Sequence, residues 1–249
     1  TEKVADKDSL NFWFKAPSKI DSLRFTFAGG NSIDTFNVKP VGGLAKDTLT
    51  FAMNSKTSLA PNQSVFFRSS TPLKAIDTSR IEFVESDSIK LPALLKMEAD
   101  ARTLTLEFNP KPKGNYRLSM LPGALQDHFE QTNDSLSFRF NITPVEDFGT
   151  LKLELQNAKP KDYPMIIELL DKNDNPLQSL YLETPKDAVF QYVEPGTYSM
   201  RITIDSNRNK RFDTGNYLLK RDPERVIYIP ETVEVRANWE ERLRFRLLD

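Results

Sequence analysis

Cysteine is absent from all 249 residues. That excludes a disulfide scaffold, a cysteine-ligated zinc site and a thiol nucleophile. Histidine occurs once, as His128. One imidazole cannot build a histidine-only metal site, and no G-x-S-x-G elbow accompanies it to suggest a Ser-His-Asp triad. His128 follows a turn beside Asp127 and Glu130, the setting of a solvated loop residue. Glycine is sparse, and the pairs Gly29-Gly30 and Gly42-Gly43 match neither a P-loop nor a dinucleotide fingerprint. No apolar run approaches the ~20 residues of a membrane-spanning helix. The opening TEKVADKDS is not a secretory signal. An excess of either charge is missing too: 34 basic against 35 acidic residues leave a net charge of -1. No basic field attracts nucleic acid or anionic lipid. Among that many carboxylates nothing selects the pair a glycosidase needs. These absences predict a chain that is not an enzyme.

What the chain has is two-residue alternation and phenylalanine, 17 of them. Asp8-Ser9, Asp21-Ser22, Asp34-Thr35 and Asp47-Thr48 recur every 13 residues, each followed by an alternating stretch. Leu10, Phe12 and Phe14 share one face; Leu23, Phe25 and Phe27 another; Phe36 and Val38 a third; Leu49, Phe51 and Met53 a fourth. Pro17, Gly29-Gly30-Asn31 and Pro40 to Gly43 separate them, so residues 1–57 read as a four-stranded β-meander or partial β-sandwich. Residues 58–144 continue with strands at Ser64–Arg68, Arg80–Val84, Leu94–Met97, Leu104–Phe108, Tyr116–Met120 and Leu136–Ile142. Turn signals such as Pro122-Gly123 fall between them, a spacing that predicts a second sandwich. A junction at Val145 to Gly149 opens a third unit, 145–249. Its expected strands include Leu151–Leu155, Met165–Leu170, Gln178–Leu182 and Ala188–Val193, and it closes with Val233 to Trp239 and Leu243 to Leu247. The fold class is therefore all-β, tandem antiparallel β-sandwiches.

Glu194 to Tyr217 organises the last unit. Pro195-Gly196 predicts a type II turn with glycine at positive φ. Tyr198, Met200, Ile202 and Ile204 then form one strand face. The strand runs into a polar loop in which Asp205, Asn207, Asn209 and Asp213 occupy positions 1, 3, 5 and 9 of an oxygen-ligand pattern suited to Ca²⁺. Position 6 is Lys210 rather than glycine, and position 12 is Asn216 rather than glutamate. The competing reading is a hairpin loop held by Asx-turns.

Three resemblances follow from these residues. Phe67-Arg-Ser-Ser-Thr-Pro72-Leu73, Leu104-Thr-Leu-Glu-Phe108 and Asn115-Tyr116-Arg-Leu-Ser-Met-Leu-Pro122-Gly123-Ala124-Leu-Gln-Asp127 resemble the S-layer-type bacterial Ig-like domain, although the Gly-Asn usual after the aspartate is replaced by His128-Phe129. Phe190-Gln-Tyr-Val-Glu-Pro195-Gly196-Thr-Tyr198 is similar to the signature of transthyretin-like or carboxypeptidase-regulatory-like β-sandwiches. The stretch from Asp205 to Tyr217, with Arg225–Pro230 and Val235–Trp239, resembles the C-terminal region of Bacteroidetes Ig-like-domain lipoproteins. The resemblances imply a structural or adhesive protein of the cell envelope. It would be extracytoplasmic, in the periplasm or at the outer-membrane surface, and held to the membrane only through an anchor outside this sequence. Its partners would be other envelope proteins.

Carbohydrate is the alternative partner, because Trp13, Tyr192, Tyr217, Tyr228 and Trp239 offer ring faces on which sugars stack. Phase assigns Trp239 to the core with Val233, Val235 and Ala237, and leaves Trp13 exposed as a contact residue. Arg242, Arg244 and Arg246 form a basic stripe, with Glu234, Glu240 and Glu241 expected to compensate it.

Overall fold

The computed structural model describes residues 2–3, 10–14, 21–29, 32–39, 49–53, 56–86, 88–218 and 220–247. Among them every regular element is a β-strand apart from three single-turn 3₁₀ segments. The chain divides into two compact units. One comprises residues 1–59, 63–110 and 114–141, and the other residues 60–62, 111–113 and 142–249.

The first unit is built on a five-stranded and a four-stranded antiparallel sheet. Strand Asn115–Met120 is central to the larger one, between Ile81–Glu85 and Leu136–Ile142. Alternation places Tyr116, Leu118 and Met120 inward, each almost fully buried. Phe83, Phe108, Tyr116 and Phe140 meet as one aromatic cluster with centroids 5.0–6.4 Å apart. Phe51, Phe67 and Phe138 form a second cluster. Burying one such ring contributes about 1.5–3 kcal/mol, so phenylalanine supplies much of this core.

The expected boundary at residue 57 does not coincide with a sheet boundary. Phe51–Met53 pairs with Val65–Ser69, and Ser58–Leu59 is the edge of the five-stranded sheet. Among the described residues the N-terminal strands pair two by two. Leu23–Gly29 and Ser32–Val38 pair with each other, whereas Leu10–Asn11 pairs with Glu2–Lys3. A repeat of strand plus turn fixes strand length but not which strands become neighbours. The turns expected at Pro17, Gly30-Asn31 and Pro40 to Gly43 lie outside the described residues.

Asp127 pins the far end of this unit. Its fully buried carboxylate accepts bonds from the Thr71 hydroxyl (2.7 Å) and from the amides of Phe129 and Gln131 (both 2.8 Å). Pro122-Gly123 makes the turn that its residues predict, with Gly123 at φ +79°. Asp100 anchors a second turn by accepting from the amides of Arg102 and Thr103 and the Thr103 hydroxyl. Partial burial pushes its pKa up, but these bonds outweigh burial and hold it below the usual 3.8. A carboxylate with a lowered folded-state pKa stabilises the fold above its unfolded value, and the contribution disappears as pH falls through the folded value. Asp100→Asn is therefore expected to flatten the acid limb of a Tm-against-pH curve below about pH 4. An acid limb identical to that of the wild type contradicts this assignment.

The second unit packs a three-stranded sheet (Ala188–Val193, Gly149–Gln156, Glu240–Arg246) and a four-stranded sheet (Pro176–Leu182, Met165–Leu170, Gly196–Ile204, Val226–Val235) around one core. Leu151, Leu153, Met165, Ile167, Phe190 and Met200 are completely buried there. One pairing departs from the antiparallel expectation: Gly149–Gln156 and Glu240–Arg246 run parallel. That register sets Arg244 opposite Glu154, which it bonds at 2.9 Å. Arg242 bonds Glu240 at 2.7 Å. The basic stripe is thus neutralised partly by Glu154, an acid 90 residues away along the chain that adjacency in sequence does not nominate.

Gly196 also departs from expectation. Among the described glycines only Gly123 has positive φ. Gly196 instead opens a strand and lets the Tyr198 ring fold back over it, since a Cβ there would lie 3.1 Å from the Tyr198 oxygen. The Tyr198 hydroxyl donates to the Glu194 carbonyl at 2.6 Å. Gly114 and Tyr116 repeat the device in the first unit, where a Cβ would lie 2.6 Å from the tyrosine oxygen. Each Gly-x-Tyr needs glycine for close approach rather than for φ.

Candidate functional site

The 205–213 loop brings its four named residues around one carboxylate pair. Asp205 is completely buried and accepts from the amides of Lys210 (2.9 Å) and Asn209 (3.2 Å). Burial, together with the neighbouring Asp205 carboxylate, raises the Tyr181 pKa. Asn207 and Asn209 each accept an amide two residues on, from Asn209 (3.1 Å) and Arg211 (2.8 Å). These are Asx-turns, and residues 208 and 210 take the positive φ that such winding demands. Both asparagine side-chain nitrogens donate to one Asp213 oxygen. The residue that sequence reasoning missed is Glu224, nearly buried. It accepts from the Ser206 amide (2.8 Å) and hydroxyl (3.1 Å) with one oxygen and from the Asp213 amide (3.1 Å) with the other. No local signal marks it, because 11 residues separate it from Asp213. As built, N–H groups engage these oxygens and hold the loop. A hard cation would require both amides to rotate so that their oxygens face Asp213.

The second site is a cleft of about 340 Å³ in the same unit, lined by Val145, Phe148–Thr150, Gln191, Tyr192 and Asn238–Glu240. Three backbone features shape it. Gly149 lies so close to the following turn that a Cβ would sit 2.4 Å from a Val235 methyl and 2.5 Å from the Arg236 carbonyl. That turn is tied down by two bonds, Thr150 amide to Trp239 carbonyl (2.9 Å) and Asn238 amide to Phe148 carbonyl (2.8 Å). Tyr192 and Asn238 both adopt left-handed backbone, at φ 54° and 55°.

The left-handed residues redirect two aromatics. Ala188 and Phe190 point into the core, and strict alternation would send Tyr192 after them. The ladder instead shifts register between Gly149 and Leu151, Val193 takes the buried position, and Tyr192 turns out against the edge of Phe148, centroids 6.0 Å apart. Trp239 is likewise not a core residue. Its strand ends at Val235, the chain turns through Asn238, and the indole is 62% exposed. The phase argument failed because the period-two rule holds only while the strand continues.

Other sequence-nominated residues lie elsewhere. Trp13 is half-buried beneath the Arg102 guanidinium (5.1 Å), its indole N–H without a hydrogen-bond partner among the described residues. This corrects the expectation of an exposed contact residue. Tyr217 is exposed, and Tyr228 lies beside Arg201. His128 is exposed on its loop. Of the five candidate sugar-stacking aromatics, only Tyr192 and Trp239 share the cleft. Phe148 and Asn238 complete it without having been nominated.

No family model and no curated protein matches the chain. Solved structures with a similar course of chain include native α2-macroglobulin of Escherichia coli spanning domains MG0-NIE-MG1 (TM-score 0.36, 10% identity, 74% of this chain and 72% of that one). A second is the N-terminal part of the bacterial S-layer protein SbsC (TM-score 0.35, 12% identity, 64% and 42%). A third is BcpA, the major pilin subunit of Bacillus cereus (TM-score 0.27, 8% identity, 91% and 77%).

Proposed function

We propose that the chain is a non-catalytic interaction protein of the bacterial cell envelope, in which β-sandwich units carry and space a protein-binding surface. The observation that supports this most directly is the hairpin of Leu23–Gly29 and Ser32–Val38. Its register puts Leu23, Phe25, Phe27, Phe36 and Val38 on one face, with Asp34 opposite Phe27 at its end, and Phe12 packs beside Phe25 and Phe27. Phe27, Phe36 and Val38 remain about half exposed. A two-stranded hairpin is marginally stable alone, and a contiguous exposed apolar face marks a contact surface for a partner. The envelope location and the protein partner both rest on this face together with the sequence resemblances; calcium at the 205–213 loop would be an addition to this role.

A photo-crosslinking amino acid at Phe36, introduced in the cells that make the protein, tests the reading. The expected result is one discrete protein adduct in the envelope fraction, absent when the probe stands at the exposed position Ser137. Recovery of the chain only from cytosol, or adducts equal at both positions, overturns it.

A further inference from the structure

We propose that the cleft between Tyr192 and Trp239 is a binding site for a neutral carbohydrate, a function separate from the apolar hairpin face.

The two rings are not where the fold would leave them by default. Tyr192 occupies a backbone region that costs a bulky residue about 1–3 kcal/mol. Trp239 keeps most of its surface in water although a core lies one strand away. Two independent left-handed residues, in segments some 45 residues apart, direct both aromatics into one cavity. Strain of this kind gathers at ligand sites, where the surrounding structure maintains it.

The cleft's composition selects the ligand class. Phe148 backs the Tyr192 ring edge-on, and the exposed indole offers a flat apolar face to the C–H side of a pyranose. Around the rings stand Thr150, Gln191, Asn238 and Glu240. Hydroxyl and amide groups donate and accept together, as a polyol requires. The lining holds one acidic side chain and no basic one, and Glu240 already pairs with Arg242. A phosphate, sulfate or uronate would find no cation in the lining, so an uncharged sugar fits best. The volume lies in the range of small-ligand sites, about 300–1,000 Å³, and suits a short saccharide segment rather than a buried cofactor.

Trp13 and Trp239 are the only tryptophans, so a Trp13→Phe variant of the full chain reports on Trp239 alone. Its emission is titrated with maltoheptaose, mannotriose and tri-N-acetylchitotriose, with sulfated dextran as a charged control. The expected result is a saturable change in emission with at least one neutral sugar and none with the control. Affinity should fall about tenfold or more in Tyr192→Ala. Calorimetry should show the same loss in Trp239→Ala, retention in Tyr228→Ala, and partial recovery in Trp239→Phe, which keeps a ring. Unchanged thermal melting of each variant separates loss of contact from loss of fold. Failure of all three sugars to bind at millimolar concentration, binding indifferent to Trp239→Ala, or equal response to sulfated dextran overturns the proposal. Crosslinking at Phe36 is independent of these outcomes, so either reading can fail without the other.

Discussion

Asp205→Ala should lower the stability of the C-terminal unit by about 3–5 kcal/mol, more than any other single change to a polar group considered above. The carboxylate is completely buried and satisfies two backbone amides, those of Asn209 and Lys210. Hydrogen bonds to a charged acceptor contribute about 1.5–3 kcal/mol each, and their loss strands the donors away from water. Both amides belong to the loop, so the loop unwinds first, and Glu224 then loses the Ser206 and Asp213 amides that it holds from the other side. For a unit of roughly a hundred residues, that loss lowers Tm by about 12–25 °C. Urea unfolding followed by far-UV circular dichroism measures it, and a loss under about 1 kcal/mol would mean that the loop is held by something else.

The same melts decide the calcium question. Since amides already occupy the loop oxygens, wild-type Tm is expected to be equal in EDTA and in CaCl₂. A rise in CaCl₂ that disappears in Asp205→Ala would show that Asn207 and Asn209 turn their oxygens inward and ligate the ion.

Gly149→Ala is expected to cost about 2–4 kcal/mol, an unusual penalty for adding one methyl group. Its new Cβ would overlap a Val235 methyl and, more seriously, the Arg236 carbonyl. A side chain can rotate away, but the carbonyl belongs to the chain leading into the turn of Asn238 and Trp239. Relief therefore requires the turn to lift, which breaks the Thr150–Trp239 and Asn238–Phe148 backbone bonds. Gly114→Ala is a useful contrast, because the atoms its Cβ meets all belong to the Tyr116 side chain. In a Trp13→Phe background, the lifted turn should red-shift Trp239 emission in the native state. Native emission and stability both like those of the parent would refute this account of Gly149.

Much of the fold was legible because alternation is a local property. Leu94–Met97, Leu136–Ile142 and Met165–Leu170 begin and end where apolar residues at every second position place them. Strands too short to alternate twice, such as Ile89–Leu91 and Leu125–Asp127, carried no such signal. The loop oxygens at 205, 207, 209 and 213 were visible as a pattern, and so were the Asx-turns. Glu224 was not, since only the return of the chain brings it to the loop. Asn238 did carry a hint, as asparagine takes left-handed backbone more readily than most residues, yet the apolar phase of Val233 and Val235 concealed the end of the strand.

From its order of residues alone, the chain is committed to β structure and to chemistry without thiols, imidazole clusters or nucleotide loops. Those properties follow from side-chain type and two-residue spacing, which each segment carries by itself. Tertiary structure decided which strands became neighbours, that one pair would run parallel, that Glu154 would meet Arg244, and that Tyr192 and Trp239 would face one cleft. The difference is physical: alternation determines which face of a strand is apolar. Strand partnership and the course of a turn depend on which distant surfaces close together with backbone groups satisfied, and no local window contains that information.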